Sequence, residues 1–354
     1  MSRRALSWSA LNDAMPLYAV YALVFSDSGL ATSQISLLFL IWSATAVVLE
    51  IPTGALADRF TPRATLMAAG IIRSAGFALW IVAPGFTGFA AGFVLWGTSG
   101  ALESGSFQSM LYSGLDRHGA TDRYPGLLGR SEAVARVAEV AATLAAAPLL
   151  VLGGTALVGW ASVGVGLAGS MVAAGFPRSG SSKGTGPKGQ EEVGYLELLR
   201  SGVGEAWRAA SVRRLVVLSS VIVGLTAVDE YVPLLARAIA VPDAWIPVVL
   251  AGLPLAAAAG TAAAGVAAKA RPAVVGLPLV VVTGMVIIAA ATASPALLPI
   301  LGGWWFVVNL ATVLVDARLQ DAVTGPSRAT VTSVAGLGSE LAAIAMFLAV
   351  AVLS

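Results

Sequence analysis

The sequence predicts an all-α, polytopic membrane protein, and three observations lead to this fold class. Of its 354 residues, 57% are hydrophobic and 11% are charged, whereas soluble globular proteins carry about 25% charged residues. Apolar stretches of roughly 20 residues, the length of a membrane-spanning helix, recur from end to end. The stretches do not alternate with a period of two, which excludes an outer-membrane barrel. We expect helices because lipid offers backbone groups no hydrogen-bond partner.

Six helices are predicted in the first half and five in the second. The approximate ranges of the first six are 5–25, 33–53, 64–82, 86–112, 130–152 and 155–176. Gly153 and Gly154 form a hinge between the last two of these. The other five are 212–235, 244–268, 273–292, 295–323 and 328–353. The positively charged start, MSRRALSW, lacks a small-residue cleavage site, so we assign it to the first spanning helix.

The stretch PRSGSSKGTGPKGQEE separates the two halves, and its composition predicts a flexible, solvated linker. The expected domains are a six-helix bundle at 1–177, a cytoplasmic linker at 178–211 and a five-helix bundle at 212–354. A twelfth helix is expected by symmetry and is absent from this sequence.

Lysine and arginine residues predict the orientation, because they concentrate in cytoplasmic loops. Apart from Arg237, those in the predicted loops occur in alternate loops of the topology. These basic residues are Arg3, Arg4, Arg59, Arg63, Arg117, Arg123, Arg178, Lys183, Lys188, Arg213, Arg214, Lys269, Arg271, Arg318 and Arg328. The pattern predicts a multi-pass protein of the cytoplasmic (inner) membrane, with a cytoplasmic N-terminus and, after eleven helices, an external C-terminus.

The composition also restricts the function. The chain has no cysteine, so disulfides and thiolate metal sites are excluded. A formal charge of +2 is too small to indicate nucleic-acid binding. Gly97-Thr98-Ser99-Gly100 matches the GxSG of rhomboid-type proteases, but the one histidine, His118, lies in a predicted loop. We therefore expect no enzymatic activity, no cofactor and no metal.

A weak internal repeat relates the two halves. Residues 54–58, GALAD, follow the second helix, and residues 265–269, GVAAK, follow the eighth. Arg130 opens the fifth helix much as Arg328 opens the eleventh. Two related halves joined by a long cytoplasmic linker are typical of secondary transporters.

The loop after the second helix carries the most specific motif. Its sequence resembles the signature G-x-L-A-D-R-x-G-R-[RK] of the major facilitator superfamily. The matching residues are Gly54, Leu56, Ala57, Asp58, Arg59 and Arg63. The preceding EIPTG and the later SGSFQSMLY (104–112) resemble the prokaryotic drug–proton antiporters. The fifth helix departs from the antiporter pattern, since a Gly-Pro pair is missing there.

This resemblance implies a fold of two pseudo-symmetric helical bundles and a conformational switch in the loop. In that family the loop aspartate interacts with the start of the eleventh helix, here Arg328, and the loop arginines latch the halves together. Gly54, Asp58, Arg59 and Arg63 are the expected switch residues. An aspartate at the amino end of a helix meets the positive end of the helix dipole.

Charged residues within the predicted helices are candidates for a proton-coupling site or substrate cavity, because burying a charge in a bilayer costs at least about 2.5–3.5 kcal/mol. At about 1.5 Å per residue, several lie 12–14 Å from a helix end. The candidates are Asp13, Arg73, Glu103, Arg136, Glu139, Asp229 and Glu340. Pairing that only stabilises packing is the alternative, and it applies best to Glu132 with Arg136 and to Asp316 with Arg318 or Arg328.

The function predicted from the sequence is secondary active transport of a small molecule by alternating access, coupled to protons and directed outward. The expected partners are the small-molecule substrate, protons and the bilayer, with the chain acting as a monomer. An ion-coupled uptake permease of the same fold and a non-transporting membrane receptor or scaffold are the alternatives.

Overall fold

A computed structural model describes residues 2–57, 61–104, 106–177, 210–267, 272–323 and 328–354, and these contain no β-strand. The α-helices are α1 (Ser2–Asp13), α2 (Tyr21–Asp27), α3 (Thr32–Ala57), α4 (Pro62–Val82), α5 (Phe86–Glu103), α6 (Ser106–Asp116), α7 (Tyr124–Ala174), α8 (Ala210–Leu225), α9 (Val232–Ala238), α10 (Ile246–Leu250), α11 (Gly252–Ala267), α12 (Pro272–Ala291), α13 (Leu297–Ala322) and α14 (Arg328–Leu353). Single 3₁₀ segments occur at Pro16–Ala19, Thr121–Arg123, Thr226–Tyr231 and Asp243–Trp245.

The chain divides into two compact units. The first comprises Met1–Lys188 with Val350–Ser354, and the second comprises Gly189–Ala349. Within the described ranges, seven helical segments are long and apolar enough to cross a membrane. The protein is therefore an all-helical, multi-pass membrane protein, as the sequence predicted.

The first spanning segment is broken in its middle, so the prediction of one continuous helix over 5–25 is wrong there. The helix α1 ends at Asp13, and Pro16 opens a 3₁₀ segment before α2 begins. Proline lacks an N–H and its ring clashes with the carbonyl four residues earlier, which stops a helix. The backbone N–H of Leu17 donates instead to Ser162 Oγ at 2.9 Å, which satisfies a buried group that the interrupted helix leaves without a partner.

Other predicted helices are also interrupted. The helix expected over 86–112 consists of α5 and α6, which separate at Ser104. A 3₁₀ segment divides the helix expected over 212–235 into α8 and α9. The hinge expected at Gly153 and Gly154 is confirmed, since both have non-helical dihedrals within α7 and Gly154 has a φ of 64°. Only glycine adopts such a φ without strain.

Small residues bring α4 against its neighbours in the first unit. A Cβ added to Gly70 would lie 2.3 Å from Ser170 Oγ of α7, and one added to Gly76 would lie 2.8 Å from the Gly92 carbonyl oxygen of α5. Ser170 Oγ donates across the first contact to the carbonyl of Met67 at 3.2 Å. Close approach through glycine and serine is the usual way in which helices associate in membranes. The two contacts fix the segment of α4 that lies between them.

The second unit has its own apolar core around α13. Trp304 and Trp305 are buried in it, and Trp304 Nε1 donates to Thr283 Oγ1 of α12 at 2.9 Å. The backbone of Gly260 in α11 approaches the Phe306 carbonyl so closely that a Cβ would lie 2.1 Å from it. These contacts hold α11, α12 and α13 together.

Candidate functional site

Three side chains from different helices form a buried polar cluster in the first unit. Arg73 of α4 donates from Nη2 to Asn12 Oδ1 of α1 at 2.7 Å, and its Nη1 lies 3.5 Å from Glu103 Oε1 of α5. Asn12 Nδ2 donates to Glu103 Oε2 at 3.2 Å, which closes the triangle. Arg73 lies between the glycine contacts of α4, so backbone packing positions its guanidinium.

Further groups complete the cluster. The hydroxyl of Tyr18 lies next to the guanidinium of Arg73. Ser99, one turn before Glu103 on α5, donates to Glu103 Oε1 at 3.3 Å. Asp13 Oδ1 accepts from Asn12 Nδ2 at 3.3 Å. The break after Asp13 therefore brings both the end of α1 and the 3₁₀ segment to the guanidinium.

The charges in this cluster are largely removed from solvent. The side chains of Arg73 and Glu103 are 6% and 16% exposed. The Nε of Arg73 is buried and has no hydrogen-bond partner among the described residues. An isolated buried ion costs several kcal/mol, so the guanidinium depends on Glu103 and on its polar neighbours. A change in the charge of Glu103 must therefore alter the energy of the whole cluster.

A cavity of about 260 Å³ opens beside the cluster, and three carboxylates line it: Asp13, Glu103 and Glu132. The rings of Trp8 and Phe107, stacked with centroids 4.7 Å apart, form the apolar part of its lining. The volume has room for roughly eight waters, because a water occupies about 30 Å³ in the liquid.

An aromatic stack continues from the cluster and fixes the position of Tyr18. The Tyr18 ring stacks on Trp96 of α5 with centroids 5.0 Å apart, and Trp96 stacks on Trp42 of α3 at 4.7 Å. Such pairs contribute about 0.5–1.5 kcal/mol beyond their buried area. The stack connects α3 and α5 to the broken first segment at the level of Arg73.

The structure brings together three of the residues that the sequence singled out, namely Asp13, Arg73 and Glu103. Arg136 and Glu139 instead form an ion pair at 2.7 Å on α7, with side chains 67% and 32% exposed. The sequence had paired Arg136 with Glu132. Glu132 lines the cavity, and the partner of Arg136 lies three residues along the helix instead of four.

The candidates of the second unit lie elsewhere. Asp229 is exposed in the 3₁₀ segment between α8 and α9, and Glu340 is exposed on α14. Asp316 of α13 accepts a hydrogen bond from Ser219 Oγ of α8 at 3.3 Å. Asp58 and Arg59 of the expected switch lie outside the described residues. Of the other switch residues, Gly54 lies in α3 and Arg63 in the first turn of α4.

Glu230, the neighbour of the candidate Asp229, is a residue that the sequence analysis did not select for the site. It lies half-buried in the 3₁₀ segment Thr226–Tyr231, and no described residue donates a hydrogen bond to it or pairs with it. The signal was present in the sequence. Asp13-x-x-Pro16-Leu in the first half corresponds to Glu230-x-x-Pro233-Leu in the second. In each unit this motif coincides with a break in the first spanning segment.

No group of three or more histidine, aspartate or glutamate side chains that could hold a metal ion is found in the described ranges. The cluster around Arg73 consists of hydrogen bonds and one ion pair. These groups can accept or release a proton, orient a polar ligand, or exchange one partner for another.

No protein-family model and no curated protein matches this chain. Solved structures of transporters are similar in fold. The nucleoside transporter NupG has a TM-score of 0.75 at 10% identity, over 99% of this chain and 88% of the other. A bacterial homologue of the human lysosomal transporter Spinster, inward-facing and unoccupied, has a TM-score of 0.71 at 19% identity, over 98% and 80%. The D-xylose–proton symporter has a TM-score of 0.70 at 13% identity, over 98% and 88%. The chain therefore shares the fold of these transporters.

Proposed function

We propose that this chain is a secondary transporter that exports a small molecule by alternating access and that Glu103 carries the coupling proton. The observation that carries the proposal is the buried Arg73–Glu103 pair beside a cavity of about 260 Å³ with two further carboxylates. A membrane protein keeps ionisable groups at such depth at a cost, and substrate or proton pathways are their usual role. The fold, shared with transporters of known structure, supports the same function.

Protonation of Glu103 is the step that changes the site. A neutral carboxyl no longer balances Arg73, which then keeps its hydrogen bond to Asn12 and its contact with the neighbouring Tyr18. Asn12 belongs to α1 and Tyr18 to the 3₁₀ segment that follows it. The loss of one charge therefore alters the attraction between α4, α5 and the broken first segment. A proton drives a conformational change only if the two states bind it with different affinity.

The broken segments support a role for both halves. Each unit has an acidic residue three positions before a proline, where the helix is interrupted. Discontinuous helices supply binding groups near the membrane midplane in many secondary transporters. In this proposal Asp13 and Glu230 occupy equivalent positions in the bundles 1–177 and 212–354, and rocking of these bundles exposes the site to alternate sides.

Outward transport is supported by the resemblance of EIPTG and of SGSFQSMLY at residues 104–112 to drug–proton antiporters. The positive-inside pattern supports a cytoplasmic N-terminus and insertion in the inner membrane. The aromatic rings beside the polar cluster suit a small, partly apolar substrate. The chain acts as a monomer in this proposal, without a cofactor.

Transport by the purified chain in proteoliposomes tests the proposal. A panel of cationic, neutral and anionic compounds is added, and a pH-sensitive dye trapped in the lumen reports proton movement. We expect at least one compound to move against the proton flux and to do so only while the pH gradient persists. Compound movement that is unaffected when an uncoupler collapses the gradient would contradict proton coupling. Proton and compound movement in the same direction would contradict export by exchange.

A further inference from the structure

A second, larger cavity lies in the first unit where α6 connects to α7. Its volume is about 700 Å³, and the start of α1 closes one side of it. It does not include the cluster around Arg73. Because this connection joins two spanning segments, the cavity lies at a membrane surface, and the distribution of basic residues places that surface in the cytoplasm.

The polar part of the lining is basic. Arg123 precedes α7 and Arg130 lies two turns into it, and both side chains are exposed. Neither forms an ion pair or a side-chain hydrogen bond with a described residue. One carboxylate, Asp122, also lines the cavity, so the lining keeps a net positive charge. His118 Nδ1 forms a hydrogen bond with the Gly114 carbonyl oxygen at 2.9 Å, and Nε2 is the second polar atom of that ring.

The rest of the lining is apolar. Leu115 of α6 and Leu127 of α7 are buried members of an apolar cluster, and Leu6 of α1 packs against them. A soluble anion gains nothing from contact with leucine side chains, whereas a phospholipid carries an acyl chain next to its phosphate. Basic pockets between transmembrane helices on the cytoplasmic side are suited to anionic head groups.

We infer that the cavity between α1 and the α6–α7 connection binds an anionic phospholipid, with its phosphate against Arg123 and Arg130 and its glycerol and upper acyl carbons against the leucines. Such a lipid would link the start of the first spanning segment to α7. The site is independent of the transported substrate, so the inference does not require the proposed function.

Lipid-dependent unfolding of the purified full chain tests the inference. Intrinsic fluorescence of its nine tryptophans reports unfolding without a thiol dye, which the cysteine-free chain could not bind. Phosphatidylglycerol is titrated into the detergent-solubilised protein, with phosphatidylcholine and inorganic phosphate as separate arms. We expect a saturable rise in unfolding temperature with phosphatidylglycerol and none with phosphatidylcholine or phosphate.

Variants locate the effect. At about 1 kcal/mol per basic residue near an anionic surface, each arginine contributes about a fivefold change in affinity. Arg123→Gln or Arg130→Gln alone should therefore weaken phosphatidylglycerol about fivefold, and the pair about 30-fold. Arg117→Gln is the matched control, because Arg117 is exposed in the same connection and does not line the cavity. The single variants keep the test valid if the double variant does not fold.

Two results would overturn the inference. One is a phosphatidylglycerol response that does not depend on Arg123 and Arg130 in particular. It would be seen as an unchanged response in the folded Arg123 and Arg130 variants, or as an equal loss of response in Arg117→Gln, and either indicates a diffuse charge effect. The other is a rise in unfolding temperature with inorganic phosphate equal to that with the lipid, since the ligand would then be a soluble anion.

Discussion

Replacing Glu103 with glutamine should reveal how strongly Arg73 depends on it. The substitution keeps the shape of the side chain and removes its charge, and the two side chains are nearly buried with Nη1 and Oε1 3.5 Å apart. At that distance, with an effective dielectric constant of 20, the attraction is about 5 kcal/mol. Removing one partner of a buried ion pair destabilises proteins by about 3–5 kcal/mol, because the other charge stays buried.

Three groups reduce the loss in this protein. Asn12 still accepts a hydrogen bond from Arg73, and Tyr18 and Asp13 remain beside the guanidinium in the same cluster. We therefore expect Glu103→Gln to lower the free energy of unfolding by about 3 kcal/mol, the lower end of that range. The double variant Arg73→Gln/Glu103→Gln should recover most of this loss, because no buried charge is left uncompensated.

A double-mutant cycle on unfolding in a mild detergent measures the effect. The predicted coupling between Arg73 and Glu103 is about 2 kcal/mol or more, well above the 0.5 kcal/mol within which independent sites add. Losses that are simply additive, with the double variant the least stable of the three, would refute the ion pair as a unit. The same variants in proteoliposomes should lack proton-driven transport, with the Glu103→Gln protein still folded.

Three further outcomes follow from the structure. Glu230→Gln should leave the unfolding temperature nearly unchanged, because no described partner is lost. It should flatten the pH dependence of transport, and an unchanged pH profile would exclude Glu230 from the proposed coupling mechanism. Gly92→Ala should destabilise by about 1–3 kcal/mol, since a Cβ would lie 2.0 Å from Trp80 Nε1, whereas Gly100→Ala, with open space around it, should not. Glu139→Gln removes a pair whose side chains are 67% and 32% exposed, so it should change stability less than Glu103→Gln does and leave proton-driven transport intact.

The sequence predicted the helices and their order because membrane spans are defined by length and hydrophobicity, which are local properties. The hinge at Gly153 and Gly154 was predicted for a similar reason, since the dipeptide itself permits the bend. The interruptions were not predicted. Pro16 was visible, but whether it kinks or ends a helix depends on a partner for the freed Leu17 N–H. Ser162, 145 residues away, provides that partner.

The site was predicted only in part. Counting residues along a predicted helix gives the distance of a side chain from the helix end. By that measure Arg73, Glu103 and Glu139 were equally good candidates for the site. It does not give rotation about the helix axis, and rotation separates the buried pair on α4 and α5 from Glu139, which pairs with Arg136 on an exposed face. Tyr18 was missed because a tyrosine within an apolar run usually serves only to pack the core. The break in the first spanning segment turns its hydroxyl toward the guanidinium of Arg73.

The most direct measurement of the central claim is proton movement in proteoliposomes driven by an outward or inward gradient of a transported compound, compared for the wild-type chain and the Glu103→Gln and Glu139→Gln variants. We predict proton flux opposite to the compound for the wild type and for Glu139→Gln, and none for folded Glu103→Gln protein. Proton flux of wild-type size in Glu103→Gln would contradict the assignment of Glu103 as the coupling residue. Compound flux without proton movement in the wild type would contradict proton-coupled transport.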